Sequence, residues 1–184
     1  MIVYSFPLIF SVIAWWINNV SDRYIITWIL DASYSGIYAM SYRIPNIIST
    51  FYGIFSQAWS ISAIKEFDKD DTDGFIGNVF MLLNTMLCLL CSIIIISNVF
   101  ICKFLFLGDF FIAWKNVPIL IYALLFYSNA MFIGNIFVAV KDTKFISLST
   151  IVSAVINTIL NIVLIAYIGI IGAAFATLIG YFVI

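Results

Sequence analysis

Five stretches of the 184-residue chain contain no charged residue, and each is long enough to cross a bilayer as a helix. They cover residues 1–21, 44–64, 74–102, 116–140 and 145–184. A bilayer-spanning helix needs roughly 20 predominantly apolar residues. Only 9% of the residues are charged and 65% are apolar, whereas an average soluble domain has about a quarter charged residues. This pattern excludes a soluble globular domain, a nucleic-acid-binding protein and a disordered chain.

The hydrophobic pattern predicts an all-α polytopic membrane protein with six transmembrane helices. The predicted helices cover about residues 3–30, 33–62, 75–98, 117–139, 145–166 and 172–184. Gly169 and Gly172 separate the last two, because a stretch of 40 uncharged residues is too long for one span. Pro45 is expected to kink the second helix. The sequence ends inside an apolar run, so we expect a fragment of a longer transporter.

The loop lysines predict the orientation of the helices. On the N-terminal side of the membrane the loops carry Lys65, Lys69, Lys141 and Lys144, and the opposite loops carry Lys103 and Lys115. Cytoplasmic loops are enriched in lysine and arginine, so the N-terminal side is predicted to be cytoplasmic. The aromatic-rich segment 99–116 is expected to lie in the membrane interface as a short helix.

The second predicted helix carries a polar stripe with helical spacing. Its members are Tyr42, Arg43, Asn46, Ser49, Thr50, Gly53, Ser56, Gln57 and Ser60. In a membrane such a stripe cannot face lipid, so it indicates a polar interior or a water-filled cavity. The first helix repeats the pattern with Asn18, Asn19, Asp22 and Arg23 on one arc.

The two arginines are predicted to lie at a similar depth, on the order of 10–15 Å inside the far membrane boundary. An intramembrane charge is by default a functional hypothesis, and a guanidinium binds phosphate through two parallel hydrogen bonds. We therefore expect a cavity for an anionic, phosphate-bearing substrate, with sugar hydroxyls bound by the polar stripe. The predicted substrate-binding residues are Arg23, Arg43, Asp22, Asn18, Asn19, Tyr42, Asn46 and Gln57. The structural alternative is that Asp22 pairs with an arginine to fix helix packing.

Two further patterns indicate helix packing. Thr150, Ser153, Asn157 and Asn161 share one face of the fifth helix, which predicts mainly hydrogen bonds between helices. Small residues at 172, 173, 176, 177 and 180 have the spacing that lets two helices approach closely. The sequence has no catalytic motif, metal-ligand cluster or phosphate-binding glycine loop, so we expect no enzymatic activity, no metal and no cofactor.

Short motifs spread along the chain carry a family resemblance. They are FPLI (6–9), WWINN (15–19), SDRYI (21–25), GIY (36–38), YRIP (42–45), FSQAW (55–59), SAIKE (62–66), AWKNVP (113–118) and GIIGAA (169–174). In this order and spacing they resemble bacterial polysaccharide biosynthesis proteins, the Wzx-type O-antigen flippases of the multidrug/oligosaccharidyl-lipid/polysaccharide (MOP) exporter superfamily. The resemblance covers essentially the whole chain, although no single motif is diagnostic.

The resemblance implies a MATE-like fold in which two six-helix lobes form a V around a central cavity, and this chain is similar to the start of the second lobe. It implies that an undecaprenyl-diphosphate-linked oligosaccharide moves across the bacterial cytoplasmic membrane by alternating access. Arg23 and Arg43 would contact the anion, and Asp22 would orient Arg23 or take part in ion coupling. Lys65 and Lys141 would meet the head group first, unless they are ordinary cytoplasmic lysines. The implied partners are the lipid-linked oligosaccharide, membrane lipids and the polysaccharide polymerase machinery.

Three alternatives remain open from the sequence. A drug–cation antiporter of the same superfamily would need an uncompensated intramembrane acid or an aromatic cage, whereas Asp22, the intramembrane acid, lies near two arginines. A lipid II flippase is compatible with the composition. The third alternative is a membrane subunit that transports nothing. Six further helices upstream of this sequence would argue against it.

Overall fold

The computed structural model of the protein describes residues 2–65, 74–140 and 144–184, with the backbone alone for residues 2–11, 19 and 63–65. These residues form seven α-helices and one 3₁₀-helix, and no strand occurs among them. The α-helices are α1 (Ile2–Ile29), α2 (Ala32–Ser41), α3 (Asn46–Lys65), α4 (Phe75–Leu105), α5 (Val117–Ala139), α6 (Lys144–Ile168) and α7 (Ile170–Val183), and the 3₁₀-helix covers Gly108–Lys115. The all-helical prediction is therefore confirmed for the described part of the chain.

Three of the described helices, α4, α5 and α6, are long and apolar enough to cross a membrane. Large apolar side chains also cover much of the outer surface, and both Ile96 and Phe104 on α4 are 84% exposed. Water would disfavour so much exposed apolar surface, whereas lipid does not. The chain is an α-helical membrane protein.

The prediction of one continuous second helix is wrong, because the structure divides this stretch into α2 and α3. Residues 42–45 form turns between the two helices. Pro45 has no N–H to donate and disfavours helical geometry at Ile44, which explains an interruption at this position. The predicted kink is thus a complete break, and the described residues contain seven α-helices rather than six.

The aromatic-rich segment 99–116 contains a short helix, as predicted, although α4 ends later than the sequence indicates. Helix α4 continues to Leu105, and the 3₁₀-helix follows at Gly108–Lys115. The Asn98 side chain donates to the Trp114 carbonyl oxygen over 2.9 Å, and the Asn116 amide donates to Ser41 Oγ over 3.2 Å. These bonds attach the aromatic segment to α4 and α2.

Helices α6 and α7 form a tight hairpin. Gly169 between them has φ +67°, a left-handed conformation that glycine adopts without strain. A Cβ at Gly172 would collide with the Leu164 carbonyl, and a Cβ at Gly180 would lie 3.1 Å from Asn157 Cβ. The predicted small residues thus lie where the two helices come closest.

The packing of the bundle places a polar cavity between four helices. Helix α6 packs against α1 and α7, while α5 packs against α3, α4 and α7. An aromatic core fixes the α3–α5 contact, where the stacked rings of Trp59 and Phe132 have centroids 4.3 Å apart. The remaining space is partly open and is lined by α1, α3, α5, α7 and the turn before α3.

Candidate functional site

The cavity has a volume of about 660 Å³, within the roughly 300–1,000 Å³ typical of small-molecule sites. Its polar lining residues are Arg23, Asn46, Ser49, Ser56 and Asn135, its aromatic ones are Trp15, Tyr42, Tyr52, Tyr127 and Tyr181, and Val20, Gly53, Leu124 and Met131 complete it. Arg23 is the charged side chain in the described lining. We call this space the polar cavity.

One half of the predicted polar stripe faces the polar cavity. Tyr42, Asn46, Ser49, Gly53 and Ser56 are spaced by three or four residues and all line it. The last four lie on one face of α3, and Tyr42 lies in the turn before it. The stripe predicted from the sequence therefore reaches a polar space inside the bundle.

The other half of the stripe points elsewhere. Arg43, Thr50 and Gln57 lie seven residues apart, are exposed, and do not line the polar cavity. Thr50 and Gln57 each follow a cavity-lining residue of α3, and consecutive helical residues differ by about 100° in direction, so both face away from the cavity. Arg43 lies in the turn before α3. The structure brings Arg23, Tyr42 and Asn46 together and leaves Arg43 and Gln57 outside.

Asp22 is buried in a cluster of hydrogen bonds and does not line the polar cavity. Its carboxylate accepts from Asn161 Nδ2 over 2.6 Å, from Thr177 Oγ1 over 2.8 Å and from Tyr38 Oη over 3.0 Å. These neutral donors come from α6, α7 and α2. A buried carboxylate is costly unless it is hydrogen-bonded, so these contacts hold four helices together. We call these four residues the Asp22 cluster.

Two tyrosines connect the Asp22 cluster to the polar cavity. The hydroxyl oxygens of Tyr38 and Tyr42 are 3.5 Å apart, and their rings pack edge to face with centroids 5.4 Å apart. Tyr42 lines the cavity, while Tyr38 is fully buried. A continuous row of polar groups therefore extends from the cavity to the Asp22 carboxylate.

Asn18 also makes a contact between helices. It is buried, and its amide donates to Ser153 Oγ over 3.3 Å. Ser153 in turn donates to the Gly180 carbonyl oxygen over 2.7 Å. The polar face of α6 thus bonds to α1 and α7, in agreement with the prediction of hydrogen bonds between helices.

Three predicted site residues are not described at the level of their side chains. The side chains of Asn19 and Lys65 and the whole of Lys141 lie outside the described residues. Their predicted roles in substrate binding and in first contact with the head group therefore stay predictions.

Among the tyrosines that line the polar cavity, sequence reasoning identified Tyr42 and missed Tyr52, Tyr127 and Tyr181. Trp15 Nε1 donates to Tyr127 Oη over 3.1 Å, and the ring centroids of Tyr127 and Tyr181 are 5.0 Å apart. A weak signal was present on α5, where Leu124, Tyr127, Met131 and Asn135 have helical spacing. Tyr181 on α7 had no such signal, because its neighbours in the sequence are apolar.

The described residues contain no group of three or more Cys, Asp or Glu side chains that could hold a metal ion. Comparison of the chain with protein-family models, with curated proteins and with solved structures finds no match in any of the three sets. The family resemblance of the sequence motifs stays a prediction.

Proposed function

We propose that this chain belongs to a transporter that moves an undecaprenyl-diphosphate-linked oligosaccharide across the bacterial cytoplasmic membrane, from the cytoplasmic to the periplasmic leaflet. In this proposal the described bundle is part of one lobe of a two-lobed, MATE-like protein, and α2 and α3 together make one interrupted span. The supporting observation is the polar cavity of about 660 Å³, which is lined by helices of an apolar membrane bundle.

The lining of the polar cavity suits a glycan attached to phosphate. Arg23 offers a guanidinium for bidentate hydrogen bonding to phosphate oxygens. Asn46, Ser49 and Asn135 offer amide and hydroxyl groups for sugar hydroxyls. Aromatic rings combine an apolar face with a polar edge, which fits the mixed surface of a sugar ring.

Arg23 rather than Arg43 carries the phosphate contact in this proposal. Both arginines are exposed, but only Arg23 lines the polar cavity. The pair therefore offers a matched comparison, in which the same charge is removed inside and outside the cavity.

The orientation with the N-terminal side in the cytoplasm completes the proposal. This orientation is based on the loop lysines, since the loops on the N-terminal side carry four lysines and the opposite loops carry two. In this orientation Lys65 and Lys141 would be the first cationic groups to meet the head group, and the polymerase machinery would receive the product on the opposite side.

The test is complementation by the full-length gene in a strain that lacks its own flippase for the same glycan. Surface polysaccharide is measured for the wild type, Arg23→Ala, Arg23→Lys and Arg43→Ala, with each protein quantified in the membrane fraction. We expect Arg23→Ala to lose most of the polymer, Arg23→Lys to keep part of it, and Arg43→Ala to remain closer to the wild type. Equal polymer from all four proteins would reject the phosphate contact, and failure of the wild type would reject flipping of that glycan.

A further inference from the structure

A second open space lies between the start of α2 and the 3₁₀-helix, which pack against each other. It has a volume of about 540 Å³, within the roughly 300–1,000 Å³ typical of ligand sites. None of its lining residues lines the polar cavity, so the two sites are separate. We call this space the aromatic cleft, after its polar and aromatic lining residues Ser33, Tyr34, Asp109, Phe111 and Trp114.

The aromatic cleft lies at one surface of the membrane. The 3₁₀-helix belongs to the connection between α4 and α5, and both of these helices are long and apolar enough to cross a membrane. A short connection between two such helices lies where they leave the bilayer. Leu107, directly before the first residue of the 3₁₀-helix, is 83% exposed. Apolar surface suited to lipid therefore adjoins the segment that forms the cleft.

Asp109 gives the aromatic cleft a negative charge. It is the charged side chain in the described lining, and it is exposed. Lys103 near the end of α4 and Lys115 at the end of the 3₁₀-helix do not line the cleft. Aromatic rings attract cations through their negative faces. A cleft that combines one carboxylate with three aromatic side chains therefore has the chemistry that binds an ammonium group.

We propose that the aromatic cleft binds the ammonium head group of a membrane phospholipid, as in phosphatidylethanolamine. The Asp109 carboxylate accepts hydrogen bonds from the ammonium group, and the rings of Tyr34, Phe111 and Trp114 add cation–π attraction. The position at the membrane surface favours a lipid over a soluble amine, because the acyl chains can remain in the bilayer beside the cleft. The inference is independent of the proposed function, since the cleft and the polar cavity share no lining residue.

The experiment measures dissociation constants of the purified full-length protein, in one detergent, for two short-chain phospholipids. Dihexanoyl phosphatidylethanolamine carries the ammonium group, and dihexanoyl phosphatidylglycerol has the same chains and phosphate without it. We expect the wild type to prefer the ammonium lipid by about tenfold. Free phosphoethanolamine has the head group without the chains and should bind about tenfold more weakly than the ammonium lipid. Equal affinity for the free head group would overturn the assignment to a lipid.

Two pairs of variants test the residues of the cleft against matched controls. Asp109→Asn should reduce the preference for the ammonium lipid to about twofold or less. Asp31→Asn removes the same charge outside the cleft and should keep the preference, because asparagine caps a helix as well as aspartate does. Tyr34→Leu should lower the preference by about threefold, whereas Tyr24→Leu on α1 should leave it unchanged, because Tyr24 does not line the cleft.

All four substituted side chains are exposed, so we expect the variants to fold, and thermal unfolding checks this. A wild type without the preference would overturn the inference, as would Asp109→Asn and Tyr34→Leu proteins that keep the wild-type ratio. An equal loss in Asp31→Asn and Asp109→Asn would also overturn it, because charge at this end of the protein, rather than the cleft, would then attract the lipid. Arg23→Ala should keep the lipid preference while it loses polysaccharide, which separates this inference from the proposed function.

Discussion

The side-chain amide of Asn161 lies 2.6 Å from the buried carboxylate of Asp22, across 139 residues of sequence. This contact joins α1 to α6. Its carboxylate acceptor also receives hydrogen bonds from Thr177 and Tyr38. The stability of the bundle should therefore depend on a residue that does not touch the polar cavity.

Removing the Asp22 carboxylate should destabilise the protein strongly. Asp22→Ala removes three buried hydrogen bonds to a carboxylate, which should cost about 2–4 kcal/mol. The measurement is the thermal unfolding midpoint of the purified protein in detergent. Asp31→Ala is the control, because Asp31 is an exposed cap of α2 that accepts from the Ser33 N–H, and its loss should cost about 1 kcal/mol. A larger loss of stability in Asp31→Ala would contradict the role of the Asp22 cluster.

Removing the hydroxyl group of Tyr38 should mainly affect stability, whereas removing that of Tyr42 should mainly affect transport. Tyr38→Phe removes a 3.0 Å hydrogen bond to Asp22 and should lower stability by about 1–2 kcal/mol. Tyr42→Phe removes only a 3.5 Å contact with Tyr38 and a hydroxyl at the cavity, so it should unfold close to the wild type but restore less polysaccharide. Thermal unfolding and complementation of the same two variants separate these effects. An equal loss of stability in the two variants would contradict the different roles of the two hydroxyl groups.

One methyl group added where α6 and α7 are in contact should lower the stability of the protein. Gly172→Ala places a Cβ against the Leu164 carbonyl, and overpacking of this kind costs about 1–3 kcal/mol. Gly134→Ala is the matched control, because a Cβ at Gly134 meets nothing within 4 Å and alanine improves helix propensity. We expect the unfolding midpoint to fall for Gly172→Ala and to remain or rise for Gly134→Ala. A Gly172→Ala protein as stable as the wild type would show that the helices can separate without cost.

The aromatic core between α3 and α5 should be more sensitive than the lipid-facing surface. Phe132 is 1% exposed and stacks on Trp59, so Phe132→Ala should cost about 3–5 kcal/mol. Phe104 is 84% exposed on α4, and Phe104→Ala should change stability little in a micelle. The two variants are compared by thermal unfolding in the same detergent. Similar losses would mean that the α3–α5 contact is not a major source of stability.

Sequence periodicity predicted which face of a helix is polar but not what that face meets. The spacing of Tyr42, Asn46 and Ser49 identified the face that lines the polar cavity. The predicted stripe also includes Arg43 and Gln57, because a stripe this broad covers residues that differ by about 100° in direction. Only the three-dimensional packing separates the half that faces the cavity from the half that does not.

Contacts between distant helices were beyond the reach of single-sequence reasoning. Asn161 and Thr177 lie 139 and 155 residues from Asp22, and periodicity does not say which helix lies opposite which. The sequence therefore suggested Arg23 as the partner of Asp22, whereas the described hydrogen bonds come from neutral side chains. The break at Pro45 was foreseen as a kink, since a proline within a helix can produce either result.

Because Asp22 and Arg23 are consecutive residues, α1 cannot roll about its own axis without moving both of them. A turn that swung Arg23 away from the polar cavity would pull Asp22 from its bonds to α2, α6 and α7. Within this part of the protein, the helix that presents the guanidinium is locked in rotation by the residue just before it. The cavity can then open or close only if whole packed groups of helices move relative to their surroundings. Arg23 would move with its group and keep its position within it.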